Sequence, residues 1–145
     1  IQIPSNAERT HLRTIISGWG HATPEDADGR PCAEWCFRTH NIKIDDVNTF
    51  SHYMGPIGCS QNPINNQGGN WEPDRAGWCP GMVVPVRINK FDNNISGKNM
   101  SYEYDFKDWV NDFQTTTDNK NGYYAISSFL VLKSNQEIQR ATIIE

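Results

Sequence analysis

Long basic runs, long apolar runs and helix-period patterns are all missing from this 145-residue sequence, and each absence removes a class of function. With no run of Lys or Arg and a net charge of -4, the main partner is not nucleic acid or a polybasic-patch membrane surface, and neutral or polar partners fit better. No apolar stretch approaches the length of a membrane span. The opening Ile1-Gln2-Ile3-Pro4 has neither the charged nor the apolar region of a secretory signal, so any export signal is expected to have been removed or to lie upstream. No segment has a convincing amphipathic-helix period. The hydrophobic fraction of 37% is modest but sufficient for one core, so a single domain over 1–145 is expected.

What is present reads as strands. From Ser101 to Lys107 the chain alternates, with Tyr102, Tyr104 and Phe106 on one face and Glu103, Asp105 and Lys107 on the other, as in a half-buried antiparallel strand. Phe37 to Asp45 alternates through His40, Ile42 and Ile44. Met82 to Ile88 does so around Pro85, which demotes that run to an edge strand or a bulge. Leu12 to Ser17 and Tyr123 to Lys133 are rich in β-branched and aromatic residues, and the Asn121-Gly122 step before the second is a hairpin-turn signal. Short strands punctuated by Gly, Pro and Asn predict a β-sandwich or jelly roll.

Four cysteines allow three disulfide pairings, and proximity in sequence favours Cys32 with Cys36 and Cys59 with Cys79. Such bridges persist in an oxidising compartment, so a secreted or periplasmic location is expected. In Cys32-Ala33-Glu34-Trp35-Cys36 a bridge forces a tight turn, because an extended strand holds the two Cα atoms well beyond the roughly 4.4–6.8 Å a disulfide requires. That turn fixes where Glu34 points, which makes its carboxylate a candidate for chemistry. From Gly55 to Gly81 the chain is rich in Gly, Pro, Asn and Gln without periodicity. With Cys59 and Cys79 stapling its ends, it reads as an ordered binding loop. Asn94-Ile95-Ser96 and Asn99-Met100-Ser101 match the N-glycosylation pattern.

Five tryptophans are many for this length. Trp19, Trp71 and Trp78 lie in non-repetitive segments beside polar groups. Indole faces stack on sugar rings while carboxylates and guanidinium groups take the hydroxyl and acetamido groups, so the mixture suits a carbohydrate site. The plainer alternative is that tryptophans anchor a core, which is the preferred reading for Trp109. His21, Cys32, Cys36 and His40 are nominal zinc ligands, but their spacing departs from the usual paired arrangement and the cysteines are expected to be bridged; no metal is assigned.

The strings Ile15-Ile16-Ser17-Gly18-Trp19-Gly20-His21, Cys32-Ala33-Glu34-Trp35-Cys36-Phe37-Arg38-Thr39-His40, Asn62-Pro63-Ile64-Asn65-Asn66-Gln67, Pro73-Asp74-Arg75-Ala76-Gly77-Trp78-Cys79-Pro80-Gly81-Met82 and Tyr124-Ala125-Ile126-Ser127-Ser128-Phe129 occur in that order. Together they resemble the C-terminal domain of the bacterial peptide-N-glycosidase F family, in register from the first residues to about Ser134. The resemblance implies an eight-stranded antiparallel jelly-roll sandwich with long disulfide-stapled loops. It implies two such jelly rolls in the whole enzyme, with the active site in the cleft between them and no metal or other cofactor. The family's disulfides agree with the pairing favoured above. At the level of fold the jelly-roll pair also resembles the copper monooxygenases that hydroxylate peptide C-termini, but fold alone does not carry function, and no closely spaced His pair is present to hold copper.

By the same resemblance the activity is hydrolysis of the amide joining an N-linked glycan to asparagine. Glu34 is the catalytic candidate. Arg75, Trp19, Trp35, Trp78 and His21 line or support the cleft near the chitobiose core. Amide hydrolysis needs an oriented water, a stabilised oxyanion and a protonated leaving nitrogen, and one carboxylate seldom supplies all three. The family's principal catalytic aspartate and a second glutamate belong to its N-terminal jelly-roll domain, absent from these residues, and no motif promotes Asp26, Asp28 or Asp74 into that role. The isolated chain is therefore expected to be inactive and to need that domain as partner. The alternatives are a freestanding carbohydrate-binding module, or an interdomain scaffold with a bare apolar face. At residue level, Glu34 could be a solvated loop carboxylate, and Arg75 a minor ion-pair partner of Asp74.

Overall fold

The structure, a computed structural model, describes residues 1–64, 71–92, 94–108 and 122–144. These residues are all-β: β1 (Arg9–Trp19), β2 (His21–Glu25), β3 (Pro31–Ala33), β4 (Arg38–Ile44), β5 (Val47–Met54), β6 (Val86–Lys90), β7 (Tyr102–Asp105) and β8 (Tyr123–Lys133), with one 3-10 turn at Cys59–Gln61. β1 lies between β6 and β8 in one antiparallel three-stranded sheet, and β4 lies between β5 and β7 in a second; β2 and β3 form a ribbon. Among the described residues no helix is long and apolar enough to cross a membrane.

The alternation in β1 places Leu12, Thr14 and Ile16 inside, while Arg9, His11 and Arg13 take the outer face. Pro85 has no N–H to give the ladder, so pairing with β1 starts one residue later, at Val86 opposite Ile15, and β6 is an edge strand as the proline requires. The expected strand from Met82 is thus shortened. The Ser101–Lys107 strand contracts to Tyr102–Asp105 because pairing with β4 runs only from Ile44↔Tyr102 to Asn41↔Asp105.

β5 was not foreseen. It is joined to β4 by a two-residue turn in which Asp45 and Asp46 have φ of 49° and 62°, the left-handed values that match a hairpin's twist. Trp109, Asn121 of the Asn121-Gly122 step, and part of the Gly55–Gly81 loop lie outside the described residues.

The two sheets face each other. His52 on β5 bonds Asn89 on β6 through Nε2 at 2.8 Å, and Tyr102 on β7 donates to Ser128 Oγ on β8 at 3.0 Å. Between them, Ile3, Ala7 and Met100 gather Ile44, Tyr102, Leu130 and Leu132 at one end, while Ile16, Met54 and Ala76 gather Tyr104, Phe106 and Tyr124 at the other. Each fully buried Ile or Met contributes about 2 kcal/mol of apolar burial. The second cluster underlies the end of β1 where the motif strings converge.

Candidate functional site

Backbone bonds join three of those strings. Glu34 N–H donates to Gly20 O at 3.0 Å, Ala76 N–H to Glu34 O at 2.7 Å, and Gly18 N–H to Ala76 O at 3.4 Å. Two glycines make the approach possible. A Cβ on Gly18 would sit 2.0 Å from Ala33 O, and Gly20 has φ 71°, where an L side chain is strained. The Cys32–Cys36 bridge closes the turn under Glu34, with Cα atoms 4.7 Å apart.

Glu34 is held at both oxygens. Arg75 donates from Nε to Oε1 at 3.0 Å, and Gly20 N–H donates to Oε2 at 3.2 Å. The Glu34 side chain keeps 18% of its surface accessible, whereas Arg75 is only 4% exposed. The Arg75 guanidinium carbon lies 4.7 Å from the Trp35 ring centroid and 5.1 Å from that of Trp78, and one terminal nitrogen donates to Pro73 O at 2.9 Å. A guanidinium among two indoles, a carbonyl and a carboxylate is a charge fixed in place. Arg75 is thus not the minor ion-pair partner of Asp74 considered above.

The aromatic residues form two units. Trp19 and Trp78 stack at 3.9 Å with 24° between planes; Trp78 Nε1 donates to Gly18 O at 2.6 Å and Trp19 Nε1 to Ser17 Oγ at 2.8 Å. Trp35 Nε1 donates to His21 Nε2 at 2.7 Å, and because indole is only a donor, that histidine nitrogen is unprotonated and the ring proton sits on Nδ1. Glu34, Arg75, Trp19, Trp35, Trp78 and His21 are all brought together. Trp71 makes none of these ring contacts.

The remaining acidic groups serve the loops. Asp26 accepts the N–H groups of Asp28, Arg30 and Phe37 and the Arg30 Nε; burial pushes its carboxyl up, but those four donors outweigh it and hold the pKa at about 2. Asp74 Oδ1 takes the N–H groups of Ile57, Gly58 and Cys59, which together with the Cys59–Cys79 disulfide ties both ends of the long loop. Among the described residues Cys59, Asp74 and Cys79 approach one another closely enough to suggest a metal cluster, but the two sulfurs are bonded to each other. Of the nominal zinc set, Cys32 and Cys36 are likewise joined and His21 Nε2 is taken by Trp35.

Sequence reasoning did not identify the Gly20 N–H as the second anchor of Glu34, nor the Gly18 carbonyl that orients Trp78. The signal was the pair of glycines flanking Trp19: one glycine leaves room for a crossing strand and the other turns the chain.

The chain matches the family described as Peptide-N-glycosidase F, C terminal, over residues 1–131. It is 56% identical over 144 residues to a peptide-N(4)-(N-acetyl-beta-D-glucosaminyl)asparagine amidase F from Elizabethkingia miricola, covering 99% of this chain and 40% of that protein. A solved structure of PNGase F, a glycosylasparaginase from Flavobacterium meningosepticum, superposes with a TM-score of 0.88 at 55% identity, over 99% of this chain and 45% of that one. One of recombinant peptide:N-glycanase F gives 0.84 at 57% identity, over 95% and 43%. The chain thus spans less than half the length of these relatives, and the part it matches is the one the family's description names: it belongs to the peptide-N-glycosidase F C-terminal family.

Proposed function

We propose that this chain is the C-terminal part of a peptide-N-glycosidase F-type amidase, which hydrolyses the bond between an N-linked glycan and asparagine. The observation that carries the reading is Glu34, clamped by Arg75 and the Gly20 N–H and framed by the Trp19–Trp78 stack and the Trp35–His21 pair. In this reading residues 1–145 form one eight-stranded jelly roll, and a second, N-terminal jelly roll supplies the aspartate that activates water. The disulfides support a secreted or periplasmic setting.

Glu34 contributes a charged acceptor whose direction is set before substrate arrives, to orient a water or a substrate N–H. Arg75 is buried too deeply to be an open contact for sugar, so it acts through Glu34, holding the carboxylate in place. The half-buried Trp19 and Trp35 offer indole surface to the chitobiose core. A defined N-glycopeptide incubated with the chain alone, and with the chain plus a family N-terminal domain, tests this by mass spectrometry of Asn-to-Asp conversion. Conversion is expected only in the mixture. Conversion by the chain alone would refute the division of labour, and none in either, with pairing of the domains demonstrated, would refute the amidase reading.

A second reading, a carbohydrate-binding module without catalysis, is favoured by the partly exposed Trp19 on its stacked partner. It predicts quenching of tryptophan fluorescence by chitobiose that Trp78→Ala weakens, with no conversion in either incubation.

A further inference from the structure

At the opposite end of β1 from Glu34, about 33 Å away by strand rise, a cavity of about 640 Å³ opens on the outer face of the β6–β1–β8 sheet. Three cations line it: Arg9 on β1, Lys133 on β8 and Lys90 on β6, together with His11. Register makes them neighbours. Arg9 stands directly opposite Lys133, and His11 directly opposite Lys90. Like charges facing each other across a ladder destabilise a sheet, so the Arg9–Lys133 pair costs stability.

Among the described residues no carboxylate forms an ion pair with Arg9, Lys90 or Lys133. The ion pairs there are Arg30 with Asp26 and Asp28, Lys43 with Glu103 and Asp105, and Arg75 with Glu34. The two carboxylates lining the cavity, Glu8 and Asp92, pair with none of the three cations, and Glu8 is engaged by the Asn135 N–H at 3.2 Å. Ile88, Phe91 and Ile95 supply an apolar wall beside the charges, and Asn94 an amide.

We infer that this cavity binds an oxyanion, a phosphate, sulfate or carboxylate group, either free or carried on a ring that packs against the Phe91 wall, as in an acidic sugar. The oxyanion bridges Arg9 and Lys133 and turns a repulsive pair into two charge-assisted bonds, with Lys90 as a third donor. A protein of net charge -4 otherwise has little reason to attract anions, so binding belongs to this corner. The inference goes beyond the amidase reading and does not depend on it.

The test is calorimetric titration and thermal melting of the whole chain at low ionic strength with inorganic phosphate, 3′-sialyllactose and neutral lactose. Binding and a raised Tm are expected with phosphate, with sialyllactose, or with both, and none with lactose; which of the two acts identifies a free anion or an acidic sugar as the source. Arg9→Ala and Lys90→Gln, both exposed substitutions, should each weaken binding about tenfold. Lys133→Glu should raise the Tm of the free chain, by giving Arg9 a partner, and abolish the response to anion. An equal response in wild type and variants, a response to lactose, or no response to either anion would overturn the assignment.

Discussion

Arg75→Ala is the most informative single change in the candidate site, because the structure separates what Arg75 does for stability from what it does for Glu34. The substitution removes the 3.0 Å ion pair, the 2.9 Å bond to Pro73 O and the cation's contacts with Trp35 and Trp78. Removing one partner of a buried pair costs about 3–5 kcal/mol, and because Glu34 is 18% accessible and can recover water, the lower end applies. Lost stacking on two indoles adds about 1 kcal/mol. A total near 4 kcal/mol lowers the Tm of a chain this size by about 10 °C, read by calorimetry. Glu34→Gln keeps an acceptor for Gly20 and should cost about 2 kcal/mol, and Arg75→Lys about the same, since an ammonium cannot lie flat between indoles as a guanidinium does. The decisive number is the coupling from the cycle of Glu34→Gln, Arg75→Met and the double variant. Above about 1.5 kcal/mol it supports the clamp; effects that add within about 0.5 kcal/mol would refute it.

Three further outcomes follow from the geometry. His40 is fully buried among Tyr104, Phe106 and Tyr124, and neither ring nitrogen has a hydrogen-bond partner among the described residues; burial first, then the charges of Arg38, His52, Arg87 and Lys107, lowers its pKa from 6.5 to about 3. The folded state thus refuses a proton that the unfolded chain accepts, so stability is full above about pH 6.5 and falls by about 2 kcal/mol by pH 5; denaturant midpoints should show this, and an unchanged pH slope in His40→Phe would exclude His40 as its source. By loop length, losing the Cys59–Cys79 bridge, which spans 20 residues, should cost about 3.3 kcal/mol, and losing Cys32–Cys36, which spans 4, about 1.9 kcal/mol; paired Cys→Ala variants measured by urea unfolding check the order. Gly18→Ala drives a methyl group to 2.0 Å from Ala33 O and should cost more than about 3 kcal/mol, whereas Gly58→Ala, with nothing within 4 Å but φ at 85°, should cost about 1–2 kcal/mol; equal melting points would contradict the close approach of β1 and β3.

The strands that could be read were those with a clear alternation or a β-branched and aromatic composition. β8 runs over Tyr123–Lys133 as its β-branched and aromatic composition predicts, and β4 over Arg38–Ile44 carries the buried His40 and Ile42. β5 escaped because Asn48, Thr49 and Ser51 dilute its pattern, its inward positions include the polar His52, and its turn uses Asp45-Asp46 where Asn-Gly would have been plain. β2 and β3 escaped because a five-residue and a three-residue strand around a disulfide turn carry no period at all. Both cysteine pairings were legible because, of the three possible, proximity in sequence favoured the pair that formed. The Glu34–Arg75 pair was not: 41 residues separate them, and Asp74 beside Arg75 is the nearer carboxylate in sequence, yet it turns away to take three backbone N–H groups.

That division between Asp74 and Glu34 bears on which function the site serves. A sugar-binding surface needs acceptors and an indole face, and an exposed Asp or Glu supplies the acceptor at almost no cost in folding stability. Here the acceptor is instead backed by a guanidinium with 4% exposure, two tryptophans whose N–H groups are already committed, a glycine in the left-handed region and a five-residue disulfide ring. Desolvating a guanidinium costs several kcal/mol, and the return is a carboxylate that does not turn. Binding a neutral glycan draws little from such rigidity. A reaction in which charge and protons move at the glycan–asparagine nitrogen draws a great deal, because the carboxylate need not reorganise as the transition state forms. The construction of the clamp therefore supports the amidase reading over the lectin-like one, and Glu34→Gln separates them. In the two-domain mixture it should abolish Asn-to-Asp conversion while chitobiose still quenches tryptophan fluorescence; loss of both together would mean that Glu34 only binds.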